Sequence, residues 1–405
     1  MKIALLTQGS RGDVEPFIRL GKALQRRGHI VTVSAPLNFT DLIESAGLLA
    51  CPTDMDIEKI LSTKKGKELL KANPFAIIKS MKSVHAFTER SLDIYYRLAI
   101  ENDRIIYHTK TMCDCFAHLF EQKMIRAMVV PAVESTKEFP SPALSGFRFW
   151  HLFPKASYFL QNFVLWSMRK PISRFAAKNN INLISDSPNI DFIYGISEVL
   201  VKKPKEYSHR SVFTGFWNDP DSHALSPDIE EFIDKGKKPV IITFGSMVNP
   251  KIDNCIRDLI NILLSSKQRI ILIRGWNKSD YINPDPDNLL ILDSAPYETL
   301  FKKASALISH GGIGTVSTGL QAGLPVFTIP IMYPVGDQMF WGKQLEKIGV
   351  SAGTIPIGKT NKINLSDAMH RLISDESLLS NAQRIKSTLM SEDGLGKAVE
   401  IIERQ

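Results

Sequence analysis

Short apolar runs alternate with amphipathic stretches along most of the chain. In the first half we predict strands at residues 2–7, 30–34, 104–108, 127–131 and 191–195. In the second half we predict strands at residues 240–244, 270–274, 289–292, 306–309 and 326–330, followed by helices over 365–403. Between the strands, the apolar residues follow helical spacing. For example, Phe17, Leu20 and Leu24 fall on one face of a predicted helix. This alternation predicts an α/β fold with parallel sheets.

The pattern divides into two units of similar design. We predict an N-terminal Rossmann-like domain over residues 1–217 and a C-terminal one over 239–405. Residues 218–238 are rich in Pro, Asp, Ser and Lys, which is typical of an exposed linker. We also expect the last helix to pack back on the N-terminal domain.

Four polar or glycine-rich loops follow predicted strands, at residues 8–15, 244–248, 274–277 and 309–315. In doubly wound sheets, ligands bind outside the carboxyl ends of the strands. We therefore expect these loops to converge on a cleft between the two domains.

Composition narrows the class of protein. The 405 residues are 44% hydrophobic, which allows two substantial cores. No apolar run approaches the roughly eighteen residues of a membrane span, and the N-terminus has the pattern of a first strand rather than a signal peptide. We expect a cytoplasmic protein. The net charge is +8, but no nucleic-acid recognition motif accompanies it, so we predict no nucleic-acid partner.

A glycine turn follows the predicted strand at 306–309. Gly311, Gly312 and Gly314 allow the backbone to turn sharply and approach a ligand, before a helix begins near Thr315. Free amides at the start of a helix favour a diphosphate. The alternative is structural, because many α/β proteins use glycine to pack a strand against a helix.

Side chains around this turn suit a nucleotide sugar. His310 can donate a hydrogen bond to phosphate, and the Thr315 hydroxyl can contact an oxygen beside the amides. Further along, Asp337 and Gln338 offer acceptors and donors for sugar hydroxyls.

The order of these motifs resembles a known family. His-Gly-Gly at 310–312, Gly-Leu-Pro at 323–325 and Asp-Gln at 337–338 resemble the donor site of UDP-dependent glycosyltransferases of the GT-B fold. The string GSRGDVEPFIRLGKALQRRGHIVTV at 9–33 resembles the opening of sterol glucosyltransferases and glycopeptide-antibiotic glycosyltransferases. GFW at 215–217, TFGS at 243–246 and RGW at 274–276 extend the resemblance to both halves of the chain.

The resemblance implies an inverting, metal-independent hexosyltransferase. Its donor would be a UDP-sugar or TDP-sugar, with glucose as the default, and its acceptor a hydroxyl on a sterol, lipid or phenolic natural product. Two alternatives remain open. A nucleotide-sugar epimerase can share the fold, and a non-catalytic partner of another glycosyltransferase could retain it.

Asp13 is the candidate catalytic base. The resemblance assigns to this position the residue that deprotonates the acceptor hydroxyl. An aspartate with an ordinary pKa of about 3.9 is a weak base for an alcohol. Asp13 also precedes Pro16 near a predicted helix start, where capping the helix is the alternative role.

The resemblance implies further donor contacts, from Gly12, Gly245, Ser246, Trp276, Ala295, Tyr297 and the turn at 310–315. Two positions differ from the plant members of the family. This chain has Ser294 where they have a stacking tryptophan, and Thr318 where they have a ribose-binding glutamate. These two differences leave open whether the donor site prefers uridine or thymidine. The loop from Pro330 to Asp337 is longer than usual by about three residues, which leaves the donor sugar open too.

We predict no metal and no cofactor. The Asp-Pro-Asp triplets at 219–221 and 285–287 superficially resemble the metal-binding Asp-x-Asp of other glycosyltransferases. Both lie in turn-like sequence, where aspartate makes local backbone hydrogen bonds.

The segment at 146–178 contains aromatic and basic residues without one acidic residue. Such a segment can lie on an anionic membrane, and we consider this contact as a hypothesis. The alternative is a packed domain helix with a basic outer face.

Overall fold

Two parallel β-sheets with helices packed on them form the framework of the protein. The computed structural model describes residues 1–54, 74–184, 188–218, 224–247, 249–275 and 284–404. In this part of the chain, every pairing between two strands is parallel. Strands of parallel sheets are buried on both faces, which explains why they read as continuous apolar runs. The predicted fold class is confirmed.

The N-terminal sheet has the strand order β3-β2-β1-β4-β5-β6-β7. Its strands are β1 (Lys2–Leu6), β2 (Ile30–Ser34), β3 (Leu49–Ala50), β4 (Arg104–Tyr107), β5 (Met124–Met128), β6 (Phe192–Tyr194) and β7 (Ser211–Phe213). The order reverses between β1 and β4, where Leu6 lies beside Tyr107. The loops that follow these two strands therefore face one crevice.

The C-terminal sheet has the order β10-β9-β8-β11-β12-β13. Its strands are β8 (Val240–Thr243), β9 (Ile270–Ile273), β10 (Leu289–Leu292), β11 (Ala306–Ser309), β12 (Val326–Thr328) and β13 (Ser351–Thr354). Here the order reverses between β8 and β11, where Thr243 lies beside Ser309. The second crevice thus opens at the loops after these strands.

Helices cover the sheets and connect the strands. The described α-helices are α1 (Arg11–Arg26), α2 (Thr40–Ser45), α3 (Pro74–Glu101), α4 (Asp114–Ala117), α5 (Phe159–Ser167), α6 (Arg169–Lys178), α7 (Pro227–Asp234), α8 (Ile252–Ser265), α9 (Tyr297–Leu300), α10 (Ile313–Ala322), α11 (Gln338–Lys347), α12 (Lys362–Ser374), α13 (Glu376–Leu389) and α14 (Gly394–Arg404).

The last helix, α14, contacts the N-terminal sheet and α1. Glu403 accepts a hydrogen bond from Arg27 at 2.8 Å and lies 2.9 Å from the ring nitrogen of His29. Lys397 donates to the carbonyl oxygen of Phe213 in β7 at 3.1 Å. The end of the chain therefore covers the N-terminal unit, while the domain boundaries at 217 and 239 stay predictions.

The structure differs from the predicted strands at four places. β5 begins at Met124, three residues before the prediction, because Met124 pairs with Ile105 in β4. Residues 124–130 are apolar apart from Arg126, so the pattern alone does not fix where the strand begins. The strands β3, β7 and β13 were not predicted. Each is a short strand at the edge of its sheet, where partial exposure leaves no continuous apolar run.

Candidate active site

Asp13 lies in the first turn of α1, the helix that follows β1, and it forms a capping box with the N-cap residue Ser10. Its Oδ2 atom accepts hydrogen bonds from the Ser10 backbone N–H at 2.9 Å and from the Ser10 hydroxyl at 3.3 Å. The close approach requires glycine at position 9, where φ is +134° and a Cβ would lie 2.1 Å from Oδ2. The capping role considered from the sequence is therefore present, on one carboxylate oxygen.

The other oxygen of Asp13 meets two side chains from the turn after β4. Lys110 Nζ lies 2.7 Å from Oδ1, and His108 Nε2 lies 3.7 Å from it. Burial raises the pKa of Asp13, but the charge of Lys110, the electrostatic interaction with His108 and the hydrogen bonds from Lys110 and Ser10 outweigh it, so the net pKa is lowered. Asp13 is thus ionised at neutral pH.

His108 is buried and neutral beside this carboxylate. Burial, assisted by the charge of Lys110, lowers its pKa to about 4. Its Nδ1 accepts the Lys110 backbone N–H at 3.0 Å, so the neutral ring carries its proton on Nε2, which faces Asp13. His108 and Lys110 are not among the site residues predicted from the sequence. Their position after β4 was the available signal, because β4 lies beside β1.

The glycine turn lies at the carboxyl end of β11 and leads into α10. His310 is 9% exposed, and burial lowers its pKa to about 4. Its Nδ1 has no hydrogen-bond partner among the described residues. A Cβ at Gly312 would lie 2.4 Å from His310 Nε2, so a side chain at this position would displace the ring.

The turn also leaves space in front of α10. Gly311 has a φ of +86°, and a Cβ there would lie 2.5 Å from Thr328 Cγ2. A Cβ at Gly314 would meet no atom within 4 Å, and Thr315 is half-buried beside it. The Val316 N–H makes the first intrahelical bond, to the Gly312 carbonyl oxygen, so the earlier N–H groups of this turn have no intrahelical partner, as an anion site requires.

The loop after β8 adjoins His310. Gly245 has a φ of +56°, and a Cβ there would lie 3.3 Å from His310 Cε1. Ser246 follows and is half-buried. The Tyr297 hydroxyl lies 2.8 Å from Thr243 Oγ1, and burial raises its pKa. Of the predicted donor contacts, Gly245, Ser246, Tyr297 and His310 thus belong to one cluster at the switch point of the C-terminal sheet.

The remaining predicted contacts to the nucleotide are Ala295, Gly12 and Trp276. Ala295 is half-buried and packs against the apolar core. Gly12 is exposed in the first turn of α1, on the N-terminal side of the cleft. Trp276 lies outside the described residues.

Asp337 and Gln338 stand at the start of α11. Asp337 Oδ2 accepts the indole N–H of Trp341 at 2.9 Å. Burial raises its pKa, with Asp13 adding to the rise and Trp341 and Lys110 opposing it. Asp337 and Asp13 therefore interact electrostatically from opposite domains. Gln338 Oε1 accepts the backbone N–H groups of Ile331 and Met332 at 2.7 and 2.9 Å, and among the described residues its amide NH₂ has no hydrogen-bond acceptor.

The loop between Pro330 and Asp337 reaches the N-terminal domain. The Gly336 N–H donates to the Ala143 carbonyl oxygen at 2.9 Å. A Cβ at Gly146 would lie 2.3 Å from the Pro334 carbonyl oxygen. The longer loop therefore contacts the N-terminal domain at the segment that precedes the aromatic and basic residues.

A polar network joins the domains elsewhere along the cleft. Arg19 of α1 contacts Glu298 at 2.7 Å and the Asn218 side-chain oxygen at 3.0 Å. Asn218 also donates to Gln321 Oε1 in α10 at 2.7 Å. Through these contacts α1, which carries Asp13, is fixed relative to α10, which begins at the glycine turn.

The described residues contain no group of three or more His, Cys, Asp or Glu side chains that could hold a metal ion. In the triplet at 285–287, Asp285 Oδ1 accepts the backbone N–H groups of Asp287 and Asn288 at 3.0 and 3.3 Å. This carboxylate thus makes the local bonds of a turn. The triplet at 219–221 lies outside the described residues.

Two family models match separate parts of the chain. Residues 3–100 match the glycosyltransferase family 28 N-terminal domain, and residues 260–403 match the erythromycin biosynthesis protein CIII-like C-terminal domain.

Full-length relatives match across both parts. The chain is 28% identical to the sterol 3-beta-glucosyltransferase UGT80B1 of Arabidopsis thaliana, over all of this chain and 68% of that protein. It is 25% identical to the O-mycaminosyltylonolide 6-deoxyallosyltransferase of Streptomyces fradiae, over all of this chain and 97% of that protein. The chain thus spans about two thirds of the plant relative and nearly all of the bacterial one.

Solved structures share the whole architecture. The spinosyn forosaminyltransferase SpnP superposes with a TM-score of 0.72 at 16% identity, covering 100% of this chain and 98% of that one. The Streptomyces glycosyltransferase SsfS6 complexed with thymidine diphosphate superposes with a TM-score of 0.62 at 18% identity, covering all of both chains.

The two sheets and the cleft between their switch points are those of the GT-B fold, which confirms the predicted architecture. The two family models and the relatives are all glycosyltransferases, as the motifs indicated, and together they support a family 1 GT-B glycosyltransferase. The chain is therefore a glycosyltransferase, and neither the epimerase nor the non-catalytic partner is favoured. The roles of individual site residues stay predictions.

Proposed function

We propose that the protein is an inverting, metal-independent hexosyltransferase. It moves a hexose, glucose by default, from a UDP-sugar or TDP-sugar to a hydroxyl of a hydrophobic small molecule such as a sterol. The observation that carries this proposal is that Asp13 acts electrostatically on Asp337, which begins the helix that contacts the glycine turn at Gly311. Relatives that act on a sterol and on a macrolide support the acceptor class, and the thymidine diphosphate held by SsfS6 supports TDP as one option.

In the proposed reaction the acceptor oxygen attacks the anomeric carbon from the side of Asp13. Asp13 accepts the hydroxyl proton while the bond between the anomeric carbon and the phosphate oxygen breaks. The electron pair leaves with the nucleoside diphosphate. Backbone N–H groups at the start of α10 and the neutral ring of His310 then stabilise the charge of this leaving group. A single displacement of this kind inverts the anomeric configuration.

A donor panel tests this proposal. UDP, TDP and their glucose, rhamnose and N-acetylglucosamine conjugates are screened by thermal shift, and each stabilising donor is then incubated with cholesterol and with phenolic acceptors. We expect at least one nucleotide sugar to stabilise the protein and to give a glycoside, since a ligand bound only by the folded state raises its stability. Added EDTA should leave the rate unchanged. A loss of transfer that Mg²⁺ or Mn²⁺ restores would contradict metal independence.

We also propose peripheral contact with an anionic membrane. The described residues include no helix that is long and apolar enough to cross a bilayer. An aromatic–basic surface, defined as residues 147–170, nevertheless exposes large apolar side chains, namely Phe147, Phe149, Leu152, Phe153, Phe159, Phe163, Leu165 and Trp166. Exposed cations lie among them: Arg148, Lys155, Arg169 and Lys170. Apolar insertion and attraction to anionic lipid would act together on such a surface.

The membrane proposal predicts vesicle binding that falls with salt. Exposed charge attraction is screened over roughly 8–10 Å at physiological ionic strength. We expect the protein to float with vesicles that contain phosphatidylserine at low salt, and Leu152→Ser to weaken this binding. Ile363→Ser is the matched control, because Ile363 is 77% exposed and Leu152 75% exposed. The proposal would be contradicted if the folded parent protein did not float with the vesicles, or if both variants lost vesicle binding equally.

A further inference from the structure

The cleft-facing oxygen of Asp13 is held by a lysine. Oδ2 is engaged by Ser10 in the helix cap, which leaves Oδ1 as the oxygen that can receive a proton from an acceptor. Lys110 Nζ lies 2.7 Å from Oδ1, within a charge-assisted hydrogen bond. The side chain of Lys110 is 53% exposed, whereas that of Asp13 is 15% exposed and that of His108 is 3% exposed. The ammonium group therefore lies on the solvent side of the carboxylate.

The turn after β4 fixes this lysine. Residues Thr109–Thr111 form a short 3-10 turn, in which the Thr111 hydroxyl donates to the His108 carbonyl oxygen at 2.7 Å. His108 Nδ1 accepts the Lys110 backbone N–H at 3.0 Å. This hydrogen bond holds the backbone of Lys110 against the buried ring of His108. The side chain of Lys110 therefore extends toward Asp13 from a fixed backbone position.

Lys110 also acts on a carboxylate of the opposite domain. Its charge lowers the pKa of Asp337, while the charge of Asp13 raises it. The titratable groups that face Asp13 are thus Lys110 and His108 from the turn after β4 and Asp337 from the start of α11. On α1 itself, Arg11 is paired with Glu15 at 3.0 Å. Since His108 is neutral, Lys110 is the cation that balances the two carboxylates in this group.

We propose that Lys110 is a positioning residue that keeps Asp13 ionised and oriented toward the cleft. The acceptor hydroxyl then replaces the ammonium group of Lys110 at Oδ1. The inference rests on the proposed function, in which Asp13 is the base. When the acceptor binds, its O–H replaces the ammonium as the donor to Oδ1. The proton then passes to Oδ1 as the acceptor oxygen bonds to the anomeric carbon and the diphosphate departs. Lys110 keeps its own proton throughout, so it sets the basicity of Asp13 without entering the proton transfer.

The first test measures the pair without any substrate. The Asp13 carboxyl is titrated by carbon NMR in protein labelled at aspartate, and its signal is assigned by its absence in Asp13→Asn. Loss of an adjacent opposite charge shifts a carboxyl pKa by about 1–3 units, so Lys110→Met should raise the titration midpoint by that amount. Lys110→Arg should keep the midpoint near that of the parent. Lys303→Met is the control, because Lys303 is an exposed lysine outside this group. An unchanged midpoint in Lys110→Met would overturn the proposal.

The second test connects the pair to transfer. With the best donor and acceptor of the panel, the acid limb of kcat/KM against pH should move upward in Lys110→Met by the same amount as the NMR midpoint. Lys110→Arg should restore the parental limb. A shifted midpoint with an unshifted limb would show that Lys110 acts on a carboxyl that is not the base, and would overturn the proposal. Failure of the parent protein to transfer any sugar would instead remove the proposed function, while the NMR titration would still decide the Asp13–Lys110 pair.

Discussion

Asp13→Asn is expected to slow sugar transfer about a hundredfold or more while donor binding stays close to that of the parent. General-base assistance is typically worth about 100- to 10,000-fold in rate, and the amide cannot accept the proton. The amide oxygen can still accept the Ser10 N–H, so the helix cap is largely kept. Transfer rates with saturating donor, together with donor affinity by calorimetry, measure this separation.

Stability provides the control for Asp13→Asn. The lowered pKa of Asp13 means that its charge stabilises the folded state above the unfolded pKa of about 3.9, and that this contribution is lost as the pH falls through the folded pKa. The variant should therefore melt somewhat below the parent at pH 7 and approach it in acid. Asp41→Asn changes an aspartate in the first turn of α2 and should leave transfer unchanged. Transfer by Asp13→Asn at the parental rate would reduce Asp13 to a helix cap.

His310→Ala is expected to weaken the binding of nucleoside diphosphates without unfolding the protein. A lost hydrogen bond is worth about 0.5–3 kcal/mol, which corresponds to an affinity loss of roughly 2- to 150-fold. Because the pKa of His310 is about 4, the ring is neutral near pH 7, and its contribution should be constant between about pH 6 and 8. Calorimetric titration with UDP and TDP across this range measures both effects.

Asp337→Asn provides the contrast within the donor site. The amide still accepts the indole N–H of Trp341, so α11 keeps this contact. We expect this variant to bind free UDP or TDP as the parent does and to bind the sugar-linked donor more weakly. Unchanged diphosphate affinity in His310→Ala would contradict a phosphate site at the glycine turn. If Asp337→Asn lost equal affinity for the free diphosphate and for the nucleotide sugar, Asp337 would not be a sugar contact.

Features encoded locally could be predicted from the sequence. β2, β10 and β11 lie where their apolar runs placed them. For β11 the reason is full burial, because a buried parallel strand needs only a short continuous apolar run. The glycine turn after β11 was likewise readable, since positive φ at Gly311 and the crowding at Gly312 leave few other residues possible. The sequence therefore indicated the donor half of the cleft with little need for tertiary information.

Features that depend on strand order could not be read in the same way. His108 and Lys110 are distant from Asp13 in the sequence, and they meet it only because β4 lies beside β1. The edge strand β7 is short and carries a mixed pattern, so only its pairing with β6 identifies it. Gln338 was predicted to offer a hydrogen-bond acceptor and donors to the sugar, but the structure uses its side-chain oxygen to hold the longer loop. Its remaining NH₂ group is the part of that prediction still to be tested.

The anomeric configuration of the product tests the central claim most directly. An α-linked nucleotide sugar chosen from the panel is incubated with the parent protein and its acceptor, and the isolated glycoside is examined by proton NMR. A single displacement with Asp13 as base predicts a β-linked product. An α-linked product would contradict it, because retention requires a different course of reaction at the anomeric carbon.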